Sequence, residues 1–296
     1  MKRAIIIYAI LFLTSIGIAK TQSISPFYKI DYGEKSEAAA VQNIKLLLAK
    51  NNFQVLGSYH PEKNKQLMVI AFTDETLKKL CLQFPDRGAL AGVLKVGLYK
   101  KNGKTIITFN NPEYIFLAYW GKQLTNQKEK LEKYSNRIKN LFSSIGKIEP
   151  FGGSLSKKEL PGYHYKIFMP YFTDPDKLAT FSSFKTGLDI IRQNLKQEKG
   201  DTQGVYELIF PDKQIAVFGV GLLNPETGEP HFLPIIGESH LAALPYQIIL
   251  QGKEATSLPG KYRLALFWPE LSMGTFMKIM TTPGEIRETL KMLTEK

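Results

Sequence analysis

The sequence has very little cysteine, few histidines and none of the short motifs that mark common catalytic sites. Its single cysteine, Cys81, excludes an intramolecular disulfide. Leu77, Leu80 and Phe84 lie beside it at helical spacing, so we expect a small core residue, with a reactive thiol as the alternative. GxSxG, HExxH and CxxC patterns are missing, and so is a glycine-rich phosphate loop. These absences argue against a serine nucleophile, a standard zinc site and nucleotide binding.

The N-terminus lacks an apolar run long enough to cross a membrane. Lys2 and Arg3 precede the largely apolar residues 4–19, which end in small side chains, whereas a membrane span needs roughly 20 residues. This pattern is typical of a cleaved signal peptide, and a membrane anchor is the alternative. No cysteine follows the run, and no Asn-x-Ser/Thr sequon occurs. We therefore predict a signal peptide at residues 1–19 and a periplasmic or secreted protein.

Acidic residues are outnumbered, since 39 lysines and arginines face 27 aspartates and glutamates, a formal charge of +12. Because the predicted destination is outside the cytoplasm, we expect no nucleic-acid partner. The densest lysine cluster, residues 122–139, alternates with Glu129 and Glu132, as on a solvated helix face. The net positive charge also predicts a weak contact with an anionic membrane surface.

The clearest structural signal is a β-hairpin in residues 93–110. Apolar runs at 94–99 and 104–109 flank Asn102 and Gly103, the dipeptide that most favours a tight type I′ turn. Pairing Lys101 with Lys104 then gives one apolar face, on which Leu98 lies opposite Ile107 and Val96 lies opposite Phe109. The sequence therefore predicts a hairpin that covers a core.

A helix is predicted to follow this hairpin. Asn111 is the expected N-cap, and Pro112 suits the first helical position because no amide donor is needed there. Apolar residues recur every seven positions as far as Ile145, so we predict one helix over 112–145. The earlier elements are predicted as strands at 27–31, 53–59 and 66–72 and helices at 36–50 and 74–84.

The same order of elements restarts after residues 146–162, a linker rich in glycine and proline. The matching positions, in chain order, are Tyr28, Lys29 and Ile30 with Tyr165, Lys166 and Ile167; Lys65, Gln66 and Val69 with Lys213, Gln214 and Val217; Leu90 and Ala91 with Leu241 and Ala242; and Gly103, Lys104, Pro112 and Glu113 with Gly260, Lys261, Pro269 and Glu270. We predict an α+β protein of two tandem repeats, 20–145 and 163–296. Each is an antiparallel sheet packed by helices, in the approximate order β-α-β-β-α-β-β-α, and the two can pair as an intramolecular pseudo-dimer.

The second half departs from the first in two predicted loops and one aromatic segment. Its hairpin loop is predicted to be longer and to span residues 251–261. A proline-rich loop is predicted at 222–237, where the first half has the helix at 74–84. Long loops inside a compact domain are often functional. Residues 163–172 alternate aromatic and polar side chains as a strand does.

The stretch GVLKVGLYKKNGKTIITFNNPEYIFLAYWG, residues 92–121, resembles the close of the domain-of-unknown-function 302 family. That family shows a Leu-Pro-x-x-hydrophobic strand, a turn, a second strand and an Asp/Asn-Pro helix start. Pro245 keeps the proline in the second half, and helix 36–50 followed by FQVLGSY is similar to the family's opening. The resemblance implies an α+β unit with an antiparallel sheet, often dimeric. It supplies no activity and no catalytic residues.

His231, Glu238 and His240 are the candidate metal ligands, with His164 as a neighbour. Two imidazoles and a carboxylate can hold zinc and leave a position open for water. Their spacing matches no standard metal pattern, so ordinary polar loop residues are the alternative, and we expect no cofactor.

The leading functional hypothesis is an exported, non-enzymatic protein that binds a small ligand, an envelope component or a protein partner. We expect its site at the junction of the repeats, because ligand sites favour domain interfaces. The alternative is a metal-dependent enzyme that uses residues 222–240. A monomer and a homodimer both fit the sequence.

Overall fold

The structure is a computed structural model that describes residues 22–124, 127–166 and 169–296. The predicted signal peptide, residues 1–19, lies outside the described residues, as does Ile167 of the proposed repeat match. No helix within the described ranges is both long enough and apolar enough to cross a bilayer.

Strands and helices are interspersed along the described chain. The strands are β1 (Ser23–Ile24), β2 (Phe27–Asp31), β3 (Gln54–Tyr59), β4 (Leu67–Thr73), β5 (Leu94–Lys101), β6 (Lys104–Asn110), β7 (Glu149–Phe151), β8 (Leu155–Ser156), β9 (Asp176–Thr180), β10 (Thr202–Phe210), β11 (Ile215–Leu222), β12 (Tyr246–Gln251) and β13 (Glu254–Ser257). The α-helices are α1 (Glu37–Lys50), α2 (Glu75–Cys81), α3 (Pro112–Trp120), α4 (Lys128–Ser143), α5 (Phe184–Lys196), α6 (Glu229–Ile236), α7 (Gly260–Phe267), α8 (Met273–Met277) and α9 (Thr282–Met292).

Two larger antiparallel sheets organise these elements. The first has the order β3-β4-β5-β6-β2-β7 and the second has the order β10-β11-β12-β13-β9, while β1 and β8 form a separate pair. Every neighbouring pair is antiparallel. The predicted α+β class, with antiparallel sheets packed by helices, is confirmed.

The two sheets share one connectivity. We call the part of the chain built on the first sheet the first unit and the part built on the second sheet the second unit. In each unit the first strand, β2 or β9, is followed by a helix and then by a four-strand meander, and it pairs with the last strand of that meander. A β-bulge interrupts the pairing of both outer strands, between Val55 and Gly57 in β3 and between Gly204 and Tyr206 in β10. A sequence duplication would produce this agreement, and the duplication itself stays a prediction.

The β5–β6 hairpin has the predicted register. Lys101 pairs with Lys104, and the apolar pairs are Leu98 with Ile107 and Val96 with Phe109. Asn102 and Gly103 take φ values of 49° and 78°, as the tight turn requires. The apolar face packs on α4, where the rings of Phe109 and Phe142 stack with centroids 4.2 Å apart.

The predicted long helix over 112–145 is two helices. It begins at Pro112 as expected, but α3 ends at Trp120 and α4 begins at Lys128. A Cβ on Gly121 would lie 2.4 Å from the side chain of Pro161, so a later segment of the chain packs closely against the end of α3. The Asn111 side chain does not cap α3, because its amide nitrogen donates to the Ser25 carbonyl at 2.9 Å.

Several predictions for the second half are corrected. The β12–β13 hairpin turns tightly between Gln251 and Glu254, so it has no long loop. Pro259 directly precedes α7, whereas Pro269 follows that helix and starts none. The matches of Gly260 with Gly103 and of Pro269 with Pro112 are therefore wrong, because they compare residues in different elements.

Two further segments differ from expectation. The segment predicted as a loop, 222–237, contains α6, with Glu229 in its first turn. The first strand of the second unit is β9, so the strand expected at Tyr165 is absent from the described residues 163–166 and 169–175. Side-chain alternation failed here because Phe172 stacks on Tyr119 of α3 with centroids 4.9 Å apart, and the Tyr163 hydroxyl donates to the Ala265 carbonyl of α7 at 3.2 Å.

The junction between the sheets is closely packed. A Cβ on Gly57 in β3 would lie 1.8 Å from the carbonyl oxygen of Val205 in β10, so these strands touch backbone to backbone. A 3-10 turn from each unit reaches the other sheet. Gln247 donates to the carbonyl of Leu90 at 3.1 Å, and Asn110 donates to that of Ala242 at 2.8 Å. The two units therefore share one core.

Candidate functional site

The structure does not bring the predicted metal residues together. His231 lies on α6, whereas His240 lies in the following Glu238–Ala243 turn, where Nε2 bonds the Glu270 carboxylate at 2.7 Å. His164 is elsewhere, with its ring against Tyr171 at 4.3 Å. Over residues 22–124, 127–166 and 169–296, no three His, Cys, Asp or Glu side chains are placed to hold a metal ion.

His240 is instead part of a packed aromatic group. Its ring stacks on Trp268 at 5.2 Å and meets the edge of Phe27 at 5.5 Å. Burial raises the pKa of Glu270, but its hydrogen bond and charge interaction with His240 outweigh burial, so this pKa lies below its usual value. The pair fastens the Glu238–Ala243 turn to the segment after α7.

An apolar cavity is lined in part by Trp268. We call it the α7–α8 pocket; its volume is about 220 Å³. Leu264 and Trp268 from the α7 segment form one wall, and Met273 and Phe276 from α8 form another. Lys166 and Lys261 complete its edge. A volume below the usual 300–1,000 Å³ of a drug-sized site suits one apolar group rather than a whole large ligand.

Local sequence explains how these walls form. Leu264 and Trp268 are four residues apart, so a helical turn places them on one face. Ser272 then begins α8, and its side chain accepts from the backbone N–H of Thr275 at 3.1 Å. The cap sets the direction of α8 so that Phe276 faces the pocket, and fully buried Ile279 anchors its far end.

The pocket is neutral inside and basic at its edge. Lys166 and Lys261 are exposed, and no carboxylate lines the cavity. The buried indole N–H of Trp268 has no hydrogen-bond partner within the described residues. A buried donor without a partner costs free energy.

An exposed apolar patch adjoins this pocket. Tyr165, Met273, Met277 and Met280 are 39%, 47%, 55% and 55% exposed. Isolated exposed hydrophobics are ordinary, but clustered ones mark interaction sites. The sequence signal for this region is the methionine spacing of SMGTFMKIM, residues 272–280.

Buried charged groups occupy the junction of the two sheets. Glu229 is fully buried, and Tyr59 donates to its Oε1 at 2.8 Å while its Oε2 has no partner in the described structure. Burial raises the pKa of Glu229 to about 8. Burial, with a smaller effect of Arg263, lowers the pKa of Lys95 to about 7. Neither residue carried a sequence signal, because burial depends on contacts between distant segments.

Two other grooves are open to solvent. One, of about 970 Å³, runs between α1 and α4 past Glu129 and Arg137, and a second, of about 410 Å³, follows the β3–β10 junction past Lys78 and Glu207. Both are wide and lined by charged side chains. The smaller α7–α8 pocket is the better candidate, because enclosure and an apolar lining contribute more to ligand binding than volume does.

The fold thus defines an α+β protein of two antiparallel sheets with an apolar pocket on the second unit. Neither a scan against protein-family models nor a search of curated proteins finds a match. A search of solved structures finds the crystal structure of an uncharacterized conserved protein DUF302 from Bacillus stearothermophilus, 15% identical, covering 40% of this chain and 94% of that chain with a TM-score of 0.33. The printed title of that neighbour names the same family that residues 92–121 resemble.

Proposed function

We propose that this chain is an exported, non-enzymatic binding protein that takes the apolar part of an acidic amphiphile into the α7–α8 pocket. The observation that carries the proposal is a half-enclosed, mainly apolar cavity whose edge has lysines and no carboxylates. Charge complementarity selects an anionic head group, and the neutral interior selects a short hydrocarbon or aromatic tail. Export rests on the apolar run at residues 4–19.

The pocket is on the second unit and not at the junction where we first expected a site. The junction is filled by the two 3-10 turns and by contacts such as Gly57 on Val205. A ligand there would have to separate packed backbone, whereas the α7–α8 pocket needs no such change. Binding in the α7–α8 pocket therefore requires less rearrangement of the protein than binding at the junction.

The experiment uses Trp268 as a reporter of its own pocket. In a Trp120→Phe background the remaining indole is Trp268, since the chain has two tryptophans. Titration with decanoate should change its emission saturably, and nonyltrimethylammonium, with the same hydrocarbon tail and opposite charge, should bind more weakly. Equal responses to both amphiphiles, or a linear response, would contradict the proposal.

Two variants locate the effect. Ala265→Phe fills the cavity and should abolish the decanoate response, whereas Ala39→Phe on the exposed face of α1 should leave it unchanged. Lys166→Glu with Lys261→Glu reverses the exposed edge charge and should weaken decanoate binding by about five-fold or more. Near-UV circular dichroism checks that each variant is folded.

A further inference from the structure

Three methionines on and just after α8 form a second chemical feature; Met273 also lines the pocket, whereas Met277 and Met280 do not. Met273, Met277 and Met280 are spaced i, i+4 and i+7. The turn continues beyond α8, since Lys278 N–H donates to Thr275 and Ile279 N–H donates to Phe276 at 3.1 and 3.0 Å. Residues four apart on such a turn, such as Met273 and Met277, have Cβ atoms about 5–6 Å from one another, and Met280 follows the turn directly.

We propose that Met273, Met277 and Met280 bind a soft monovalent cation, Cu(I) or Ag(I), through their thioether sulfurs. The three side chains are 47%, 55% and 55% exposed, so they do not complete the core. The inward side of the same segment uses Phe276 and the fully buried Ile279 instead. A methionine has three side-chain torsions about its unbranched stem, which lets neighbouring sulfurs converge on one ion.

The ligand type decides the class of cation. Thioethers are soft ligands that select Cu(I), whereas calcium, magnesium and manganese require carboxylate or carbonyl oxygens. Residues 271–284 contain no aspartate or glutamate. A hard cation therefore finds no anionic ligand in this segment, while a singly charged soft ion needs none.

The chemical choice of side chain also separates this site from a plain apolar docking surface. Leucine and isoleucine would serve an apolar contact as well as methionine does, yet every half-exposed large apolar side chain in the described 272–280 segment is methionine. Replacing sulfur by carbon keeps apolar character and approximate volume and removes the metal ligand. Met→Leu variants therefore test the sulfur alone.

The experiment is a titration of the folded protein with silver nitrate in chloride-free buffer, followed by calorimetry and by NMR of methionine labelled with ¹³C at its methyl group. We expect one Ag(I) per chain and shifts confined to three methyl signals. Met277→Leu with Met280→Leu should weaken binding by more than about 100-fold, because even outer-shell changes in metal sites cost 10- to 100-fold. Met68→Leu in β4 is the matched control and should bind as wild type does.

Unchanged Ag(I) affinity in the Met277→Leu, Met280→Leu variant would overturn the proposal, as would the absence of a saturable heat in the wild type. If the thiol of Cys81 bound the silver instead, the affinity would also be unchanged in this variant. That thiol is a poor ligand because it is buried, and burial raises its pKa to about 12. The double variant should still bind decanoate, because neither residue lines the α7–α8 pocket. Failure of this inference is thus distinguishable from failure of the proposed function.

Discussion

Glu229 is the residue whose environment departs furthest from that of a typical surface carboxylate. Its side chain is fully buried between α6 and the Tyr59 end of β3, and burial raises its pKa from 4.5 to about 8. Its Oε1 accepts from Tyr59 O–H and from the backbone N–H of Leu222. Removing an ionised carboxylate from water is costly, so the native state favours the protonated acid.

The raised pKa predicts how stability depends on pH. An acid that holds its proton more tightly when folded stabilises the protein fully below the unfolded pKa of 4.5, and this contribution is lost as pH rises towards about 8. Glu229→Gln mimics the protonated acid and does not titrate. Between pH 5 and pH 8 the wild type should lose on the order of 3 kcal/mol of unfolding free energy relative to this variant.

Urea denaturation at both pH values measures this difference. Lys95 titrates in both proteins, so the difference between them isolates Glu229. The control is Glu226→Gln, an exposed residue on the same connection, which should follow the wild-type curve. Parallel curves for wild type and Glu229→Gln would show that Glu229 is not held as the acid.

At the scale of elements, the Glu238–Ala243 turn is seated on β5 at Gly97. A Cβ at Gly97 would lie 2.4 Å from the Cβ of Leu241 and 3.0 Å from the backbone nitrogen of Ala242. The sheet can therefore accept the turn only where β5 has no side chain. The hairpin containing Gly97 is predictable from local sequence, but this contact is not, because Leu241 is far away along the chain.

Gly97→Ala should destabilise the protein by about 1–3 kcal/mol, the usual cost of overpacking a close contact. Guanidinium denaturation measures the change. Gly204→Ala in β10 is the matched control, because its Cβ would meet Leu195 at an ordinary 3.6 Å. That variant should be neutral or slightly stabilised, since alanine restricts the unfolded chain. Equal stability of the two variants would contradict the close docking of the turn on β5.

Local signals determined which elements were found from the sequence. The β5–β6 register followed from Asn102-Gly103 and alternating apolar residues, all within one short segment. The β12–β13 hairpin was misplaced because its turn has no such dipeptide and Pro259-Gly260 offered a competing turn signal. The close approach of Pro161 to Gly121 at the end of α3 left no local signal, because Pro161 comes near only in the folded chain.

At the scale of the whole molecule, the two units form one cooperative structure. Each sheet accepts a 3-10 turn from the other unit, and the Tyr114 hydroxyl of α3 donates to the Leu266 carbonyl of α7 at 2.6 Å. Separating the units would expose these buried polar groups without partners. We therefore expect the two units to unfold together.

The two tryptophans test this directly, because each unit contains one. Trp120 stacks on Phe84 with centroids 4.3 Å apart in the first unit, and Trp268 is buried in the second. Trp268→Phe and Trp120→Phe variants leave one reporter each. In each variant the emission transition in urea should coincide with the far-UV circular dichroism transition of that same variant. Emission that changes at a clearly different urea concentration from the dichroism would show that the units unfold independently.

The sequence by itself determined the α+β class, the central hairpin and its register, the start of α3 and the family resemblance. Those features depend on turn dipeptides, side-chain alternation and helix-start residues, which act between near neighbours in the chain. Only the tertiary structure decided where His240 points, that Glu229 and Lys95 are buried, and that Trp268, Met273 and Phe276 enclose a pocket. These outcomes depend on which distant segments pack together, and local patterns contain no information about those contacts.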